Sequence, residues 1–317
     1  MFRVFRSLTE IGPDARPAAV AVGNFDGVHT GHRRLFRRVV EVSVENGWIP
    51  SVLTFDPHPT KVVAPGRTAQ LLTTAEERWP MMRDEGIQQV FVLPFDREFA
   101  SLSPEEFARK ILIAGVGAAA VYVGENFRFG ARHAGDVRLL KQLGDQVGFL
   151  VEVVPSVYVR GRMASSTEVR NLLLKGQVSL ACRLLERPYW IQGSIVTGFG
   201  VGSKQTVPTL NLDTAAEVLP ADGVYITRTT DLNDERQWQS ISNIGMRPTF
   251  DGSKRTIETF LLSPFDGVTP SRIRLEFLKR VREERKFDSP EALKSQILHD
   301  VKRAKTYFRR TGVSRPV

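Results

Sequence analysis

Five apolar runs punctuate the first half of the chain, at residues 18–22 (AAVAV), 51–55 (SVLTF), 89–93 (QVFVL), 118–123 (AAAVYV) and 149–154 (FLVEVV). Between them the spacing lengthens to the helical period. His32, Leu35, Phe36, Val39 and Val40 fall on one face of a 3.6-residue repeat. Thr74-Ala-Glu-Glu77 has the pattern of a capping box at a helix start. Ser103-Pro104-Glu-Glu106 adds a proline suited to the first helical position. Continuous apolar strands separated by helices predict a parallel sheet covered on both faces. Right-handed crossovers then make that sheet doubly wound.

After Val154 the pattern changes. Ser165-Ser-Thr-Glu168 is placed to cap a helix that ends near Lys175-Gly176, and a second short helix runs to about Leu185. The segment ERPYW at 186–190 marks a boundary, so 1–185 and 186–317 read as two domains. Beyond it come strand candidates at 191–196, 222–228, 238–243, 256–262 and 272–278, separated by Gly and Pro turns with no long helix between them. That spacing predicts a small antiparallel β-barrel. Ser289-Pro290-Glu291 opens a final helix through about Arg310, with Gly312 beyond its end. The expected fold class is α/β, a doubly wound parallel-sheet domain followed by a barrel with a terminal helix.

A length of 317 residues suits two domains. The only cysteine, Cys182, can form neither an intrachain disulfide nor a Cys-rich zinc site, which suits a reducing cytoplasm. The N-terminal MFRVFRSLTE lacks the apolar core of a signal peptide. The uncharged apolar stretch ILIAGVGAAAVYVG at 111–124 is shorter than the ~20 apolar residues a bilayer span needs. It reads as a helix end, a turn and a buried strand, and no membrane partner is expected. Net charge is +9, and 14 Lys and Arg against 6 Asp and Glu lie from Ser271 to Val317. Such a surplus attracts polyanions, either nucleic acid or nucleotide phosphates. Basic and acidic positions alternate there (KRVREERKFD) without aromatic stacking residues, so nucleic acid is not the expected partner. Oligomerisation stays open.

The first apolar run leads into AVGNFDGVHTGHRRL, residues 21–35. A turn at the carboxyl end of a parallel strand is where such sheets bind nucleotides. Gly23, Gly27 and Gly31 permit close backbone approach. The new helix offers free N–H groups and a positive dipole end to an anion. His29 and His32 add side-chain donors to that end. Together these parts bind phosphate and stabilise charge developing on it. No Gly-Lys-Ser/Thr is present, which argues against a P-loop. TFDPHP (54–59), GENFRFG (124–130) and SSTEVR (165–170) also fall where the sheet's carboxyl edge would present them. Alone each is weak, since Asp56-Pro57 serves as a turn, Asn126 as a loop cap and Ser165 as a helix cap.

Gly23-Asn-Phe25-Asp26-Gly-Val-His29-Thr-Gly31-His32 resembles the nucleotidylyltransferase signature Gly-x-Phe-Asp-x-x-His-x-Gly-His. In the second half VPTLNL (207–212), NIGMRPTF (243–250), TIETFLL (256–262) and FLKRVREERKF (277–287) are similar to the riboflavin kinase barrel. Over nearly its full length the chain resembles the bacterial bifunctional riboflavin kinase/FMN adenylyltransferase (FAD synthetase) family. The resemblance implies that the first domain joins AMP from ATP to FMN, releasing pyrophosphate and making FAD. It gives His29 and His32 the ATP phosphates. Gly23, Phe25, Asp26 and Gly31 would shape that pocket, and Ser166, Thr167 and Arg170 would hold the nucleotide's phosphates. Asp56, His58 and Asn126 would lie on the flavin side. The barrel would phosphorylate riboflavin, with Thr209 and Asn211 engaging Mg²⁺ and the phosphates and Glu258 acting as base. The family usually reads Gly-Arg-x-x-Gly-Phe-Pro-Thr-Ala-Asn where this chain has GSKQTVPTLN. Ser203 replaces the arginine, Thr206 the second glycine and Leu210 the alanine. Lys204 offers a point charge without arginine's geometry. The usual Leu-Tyr-Gly segment is replaced by PFDGVTPS, at 264–271. These departures keep an alternative open, an FMN adenylyltransferase with a silent or regulatory barrel. A synthetase acting on tRNA is a further reading of the histidine signature, but no Lys-Met-Ser-Lys-Ser element is recognisable.

Overall fold

The run Ala18–Val22 is buried along its whole length, as a strand is only in the middle of a sheet covered on both faces. In the computed structural model, residues 1–67, 70–196, 209–249, 252–263 and 268–312 are described. The first sheet holds β1 (Arg3–Phe5), β2 (Ala18–Val22), β3 (Ile49–Asp56), β4 (Gln89–Pro94), β5 (Ala118–Gly124) and β6 (Leu150–Val154). Their order is β1-β4-β3-β2-β5-β6, and every pair is parallel. From β2 the chain winds outward through β3 and β4, then returns to the other side of β2 as β5. The reversal leaves a crevice at the carboxyl ends of β2 and β5, the usual place for a ligand in such a sheet. The five expected strands are all present. Only β1 is additional, three residues of the charged N-terminus paired with β4 at the sheet's edge.

Helices connect the strands where the periodicity places them. α1 (Thr30–Asn46) follows β2, while α2 (Pro59–Val63) and α3 (Ala75–Asp84) follow β3. α4 (Arg97–Ala100) and α5 (Pro104–Glu106), continued by a π-helical stretch Phe107–Gly115, follow β4, and α6 (Val137–Val147) follows β5. Both expected capping boxes form, Thr74 with Glu77 and Ser103 with Glu106. Each satisfies two backbone N–H groups that a helix start otherwise leaves open. Leu35, Phe36 and Val39 of α1 are buried, as their spacing requires. Leu53, Phe91, Phe107, Leu112, Val121 and Leu140 form the centre of the core between sheet and helices. A hairpin of β7 (Tyr158–Val159) and β8 (Arg162–Met163) closes this part of the chain.

The chain divides into two compact units, Met1–Ser166 and Thr167–Val317. The second contains α7 (Ser166–Leu174) beyond its first residue, α8 (Val178–Leu185), and a closed antiparallel barrel. Its strands are β9 (Tyr189–Val196), β10 (Thr209–Asp213), β11 (Gly223–Asp231), β12 (Gln237–Thr249), β13 (Gly252–Leu261) and β14 (Arg272–Arg282), closing in the order β10-β13-β12-β11-β14-β9. α9 (Pro290–Thr311) lays Ala304 and Phe308 on Val224, Ile226, Ile241 and Val281 of the outer wall. Side chains alternate along a strand, so the residues between these point inward. Inside, the buried hydroxyls of Thr227, Thr229, Ser240, Ser242 and Thr259 bond to one another at 2.8–2.9 Å. The expected join at 185/186 and the compact division after Ser166 differ by the two helices. α8 is tied to β14: the Ser179 hydroxyl donates to the Leu278 carbonyl at 3.0 Å and the Cys182 thiol to the Phe277 carbonyl at 3.4 Å.

Candidate functional site

Between the end of β2 and the start of α1 the backbone takes a strained course. Phe25 (φ 53°), Gly27 (φ 77°) and Val28 (φ 40°) all have left-handed dihedrals. For a β-branched residue such as Val28 this is a true outlier, and such residues cost on the order of 1–3 kcal/mol each. Neighbouring segments hold the turn. The Asp26 carboxylate accepts from the amides of Leu72, at 2.9 and 3.1 Å, and of Thr73, at 3.1 Å. The Gly27 amide donates to the Thr73 hydroxyl at 3.0 Å. The Arg78 guanidinium donates to the Asn24 carbonyl. A Cβ on Gly27 would meet Leu72 Cδ1 at 2.7 Å, so this position needs glycine for space as well as for dihedral.

The result is a pair of stacked imidazoles at the start of α1. His29 is its N-cap residue in extended backbone, yet its side chain makes no capping bond. Its ring instead lies against that of His32, with centroids 3.6 Å apart and planes 24° from parallel. Phe25 meets His32 edge-on at 5.1 Å and Phe36 at 4.9 Å. Gly31 keeps the stack possible, because a Cβ there would stand 3.1 Å from His29 Cε1. Among the described residues neither Nδ1 has a hydrogen-bond partner, although both are buried. Burial lowers the His29 pKa to about 4. Burial lowers that of His32 as well, followed by the like charges of His29 and Arg78. Both rings are therefore neutral at pH 7, each with one N–H donor and one lone pair.

Gly23, Phe25, Asp26, His29, Gly31, His32 and Ser166 thus come together. The Ser166 hydroxyl donates to the Asp26 carbonyl at 2.9 Å, and Gly23 leaves room for the Phe25 ring, whose edge a Cβ would meet at 3.0 Å. Thr167 and Arg170 belong to α7 in the second unit. Asp56 ends β3 and Asn126 follows β5, both exposed. His58 caps α2: its Nδ1 lies 3.3 Å from the Thr60 amide, which donates to it, and 2.8 Å from the Thr60 hydroxyl. Beyond these residues a cleft of about 590 Å³ is lined by Val62, Val63 and Pro65 after β3, Arg97 and Ala100 after β4, and Ala131 and Arg132 after β5. The residue that sequence reasoning missed is Arg78. Its place in a polar helix start gives no sign that it is buried.

In the barrel, Asn211 on β10 stands directly opposite Glu258 on β13, and Glu258 stands opposite Asn243 on β12. Partners across an antiparallel ladder share a face, so an amide flanks the carboxylate on either side. Thr209 lies two residues from Asn211 on the same face. The backbone of β10 is itself a strand that the spacing did not predict. Leu210 is buried in it. Ser203, Lys204 and Thr206 lie outside the described residues, as do 264–267 of the PFDGVTPS segment.

A stacked histidine pair at the switch point of a doubly wound sheet, followed by a closed barrel that sets a carboxylate between amides, has the architecture of a nucleotidylyltransferase joined to a kinase-type barrel. Two family models match in succession, FAD synthetase over residues 12–168 and riboflavin kinase over residues 185–308. A Pseudomonas fluorescens protein named bifunctional riboflavin kinase/FMN adenylyltransferase is 35% identical over 96% of this chain and 97% of its own length. The chain belongs to the bifunctional riboflavin kinase/FMN adenylyltransferase family. Its namesake from Escherichia coli (strain K12) is 32% identical over 94% of each chain. A solved structure described as a macrolide-efflux protein from Streptococcus pneumoniae aligns with TM-score 0.85 and 27% identity, covering 96% of this chain and 99% of that one. Among the described residues no helix is long and apolar enough to cross a membrane.

Proposed function

We propose that the family's two reactions are divided between the units and carried by the residues below. The enzyme phosphorylates riboflavin to FMN with ATP and adenylylates FMN to FAD with release of pyrophosphate. In the second reaction an oxygen of the FMN phosphate attacks the α-phosphorus of ATP. That O–P bond forms as the bond from the α-phosphorus to the β-phosphate oxygen breaks, and pyrophosphate leaves. No side-chain nucleophile is required, so catalysis is positioning and charge stabilisation. His29 and His32 donate to the phosphates at the point where charge grows on the leaving group. The open N–H groups of the first turn of α1 add to that field. Gly23, Phe25, Asp26 and Gly31 shape this pocket. In this reading Ser166, Thr167 and Arg170 hold the nucleotide's phosphates, the last two by resemblance alone. Asp56, His58 and Asn126 border the flavin in this reading. The observation that supports this reading most is the buried pair of imidazoles, stacked at a helix N-terminus with both Nδ1 atoms unpartnered.

In the barrel, Glu258 accepts the proton of the ribityl 5′-hydroxyl as that oxygen takes the γ-phosphoryl group and ADP leaves. Thr209 and Asn211 present a hydroxyl and an amide oxygen on one face of β10, beside the carboxylate opposite Asn211. Hard oxygen donors of this kind fit Mg²⁺, with substrate phosphates and water completing its shell. Among the described residues no cluster of three or more His, Cys, Asp or Glu could hold a metal without substrate. A bound Mg²⁺ would neutralise phosphate charge there. One assay tests both halves: protein with riboflavin and Mg-ATP, products separated by chromatography. FAD is the expected product. FAD from FMN but nothing from riboflavin would mean a silent barrel. His32→Ala is expected to abolish FAD formation from FMN and leave riboflavin phosphorylation largely intact. Near-normal FAD synthesis in the folded variant would remove His32 from the mechanism.

A further inference from the structure

Arg78 sits in the first turn of α3, where arginine ordinarily reaches solvent, yet it is only 5% exposed. A buried guanidinium is costly unless its donors are used. α3 itself uses one, the Nε donating to the Thr74 carbonyl at 3.3 Å. The Nη1 group leaves the helix and donates to the Asn24 carbonyl, the peptide oxygen immediately before the left-handed Phe25. The carboxylates of Asp26, Asp56, Glu76 and Glu77 favour its charge against burial. It is thus a cation held on the turn before the histidine pair, near enough for its charge to act on His32 and supplied by a different element.

We propose that Arg78 is a positioning residue for adenylyl transfer: through the Asn24 carbonyl it holds the left-handed course Phe25–Val28 and so fixes the directions in which His29 and His32 point. This rests on the reading of the two histidines as phosphate contacts. Without the guanidinium the Asn24 carbonyl keeps only the long bond from the buried Thr54 hydroxyl, at 3.5 Å, and the strain at Phe25 and Val28 is less firmly opposed. Rotation there carries the Phe25 ring, whose edge bears on His32. A second effect follows from charge. The groups whose charges bear on His32 are His29 and Arg78, both disfavouring its proton. Removing Arg78 therefore moves the titration of His32 up, toward its ordinary range. Both effects act through the histidines, so Arg78 need not touch the nucleotide.

The test compares Arg78→Met and Arg78→Lys in the full chain, with thermal melting followed by circular dichroism as the control for folding and riboflavin phosphorylation on the same preparations as the control for the second unit. R78M is expected to lower kcat for FAD formation from FMN about 10- to 100-fold, the scale of a catalytic group displaced by ~1 Å. R78K, which keeps the charge and a donor, is expected to recover most of that loss. Imidazole NMR is practicable because the chain has five histidines. The His32 resonances should titrate at higher pH in R78M than in wild type and stay low in R78K. Wild-type kcat in R78M overturns the proposal. So does an equal loss in R78M and R78K with His32 titrating as in wild type, which is generic damage to the turn. Should R78M not fold, R78K decides alone, since an inactive lysine variant with unshifted His32 is the same overturning result. If His32→Ala retains FAD synthesis, the reading of the histidines fails and this proposal with it. If H32A is inactive while R78M is not, only the role of Arg78 fails.

Discussion

His29 and His32 are costly residues where they stand. Each is a polar ring with a buried, unpartnered nitrogen, and stacking places two weak bases in one desolvated site. This cost has a measurable consequence. The unfolded chain takes up a proton at a histidine near pH 6.5, while folded His29 does so only near pH 4. Between these values the unfolded state binds more protons, so stability falls with decreasing pH. The contribution of His29 is full above about pH 6.5 and is lost as the pH drops toward 4. Its size is of the order of 3 kcal/mol, and His32 adds in the same direction. Urea unfolding of the wild type should show this loss between pH 7.5 and 5. A His29→Asn/His32→Asn double variant should be flatter over that range. Equal pH slopes would mean that the rings are charged or solvated in the native state.

At the scale of elements, the barrel's chemistry is a matter of register. Glu258 is worth little as a lone strand residue. The role proposed for it depends on β13 pairing β10 and β12 so that Asn211 and Asn243 flank it. A one-residue slip would turn all three to the other face. The interior hydroxyl chain resists that slip, since Ser242 and Thr259, neighbours of Asn243 and Glu258, are bonded to each other at 2.9 Å. Glu258→Gln keeps the volume and one carbonyl acceptor but removes the proposed base. Riboflavin kinase turnover should fall ~10²-fold or more, while FAD synthesis from supplied FMN stays near wild type. Turnover with riboflavin and with FMN on one folded preparation is the measurement. A fall in both would mark a structural residue or coupled domains, and no fall in either would make Glu258 an ordinary strand residue.

For the whole molecule, the question is which pieces fold. The sequence puts the join at 185/186, where the motifs change from sheet to barrel. Leu173, Leu184 and Leu185 are buried, and α8 is hydrogen-bonded to β14. A barrel piece beginning at 186 forfeits these contacts. Fragment 167–317 should therefore melt at a higher temperature than 186–317, both followed by circular dichroism. Fragment 1–166 should retain the melting of the sheet core. Identical melting of the two barrel pieces would show that α7 and α8 contribute nothing to the second unit, and the join at 185/186 would be the physical one. Aggregation of every fragment would argue for one interdependent core.

Local patterns in the chain determine much of this protein. Five strands of the first sheet, two capping boxes, the split of 111–124 into helix end, turn and strand, and the His29–His32 motif all depend on residues close in sequence. Periodicity and capping act over a few residues, so a linear reading captures them. Strand β1 escaped because three residues carry no period, and β10 because Thr209–Asp213 is short and mixes polar with apolar positions. The tertiary structure alone decided the rest. It spends the Asp26 carboxylate on Leu72 and Thr73, turns His58 into a helix cap, buries Arg78 against the Asn24 carbonyl and sets Glu258 opposite Asn211. Burial and register depend on segments far apart in the chain, and no local spacing encodes which of them will meet.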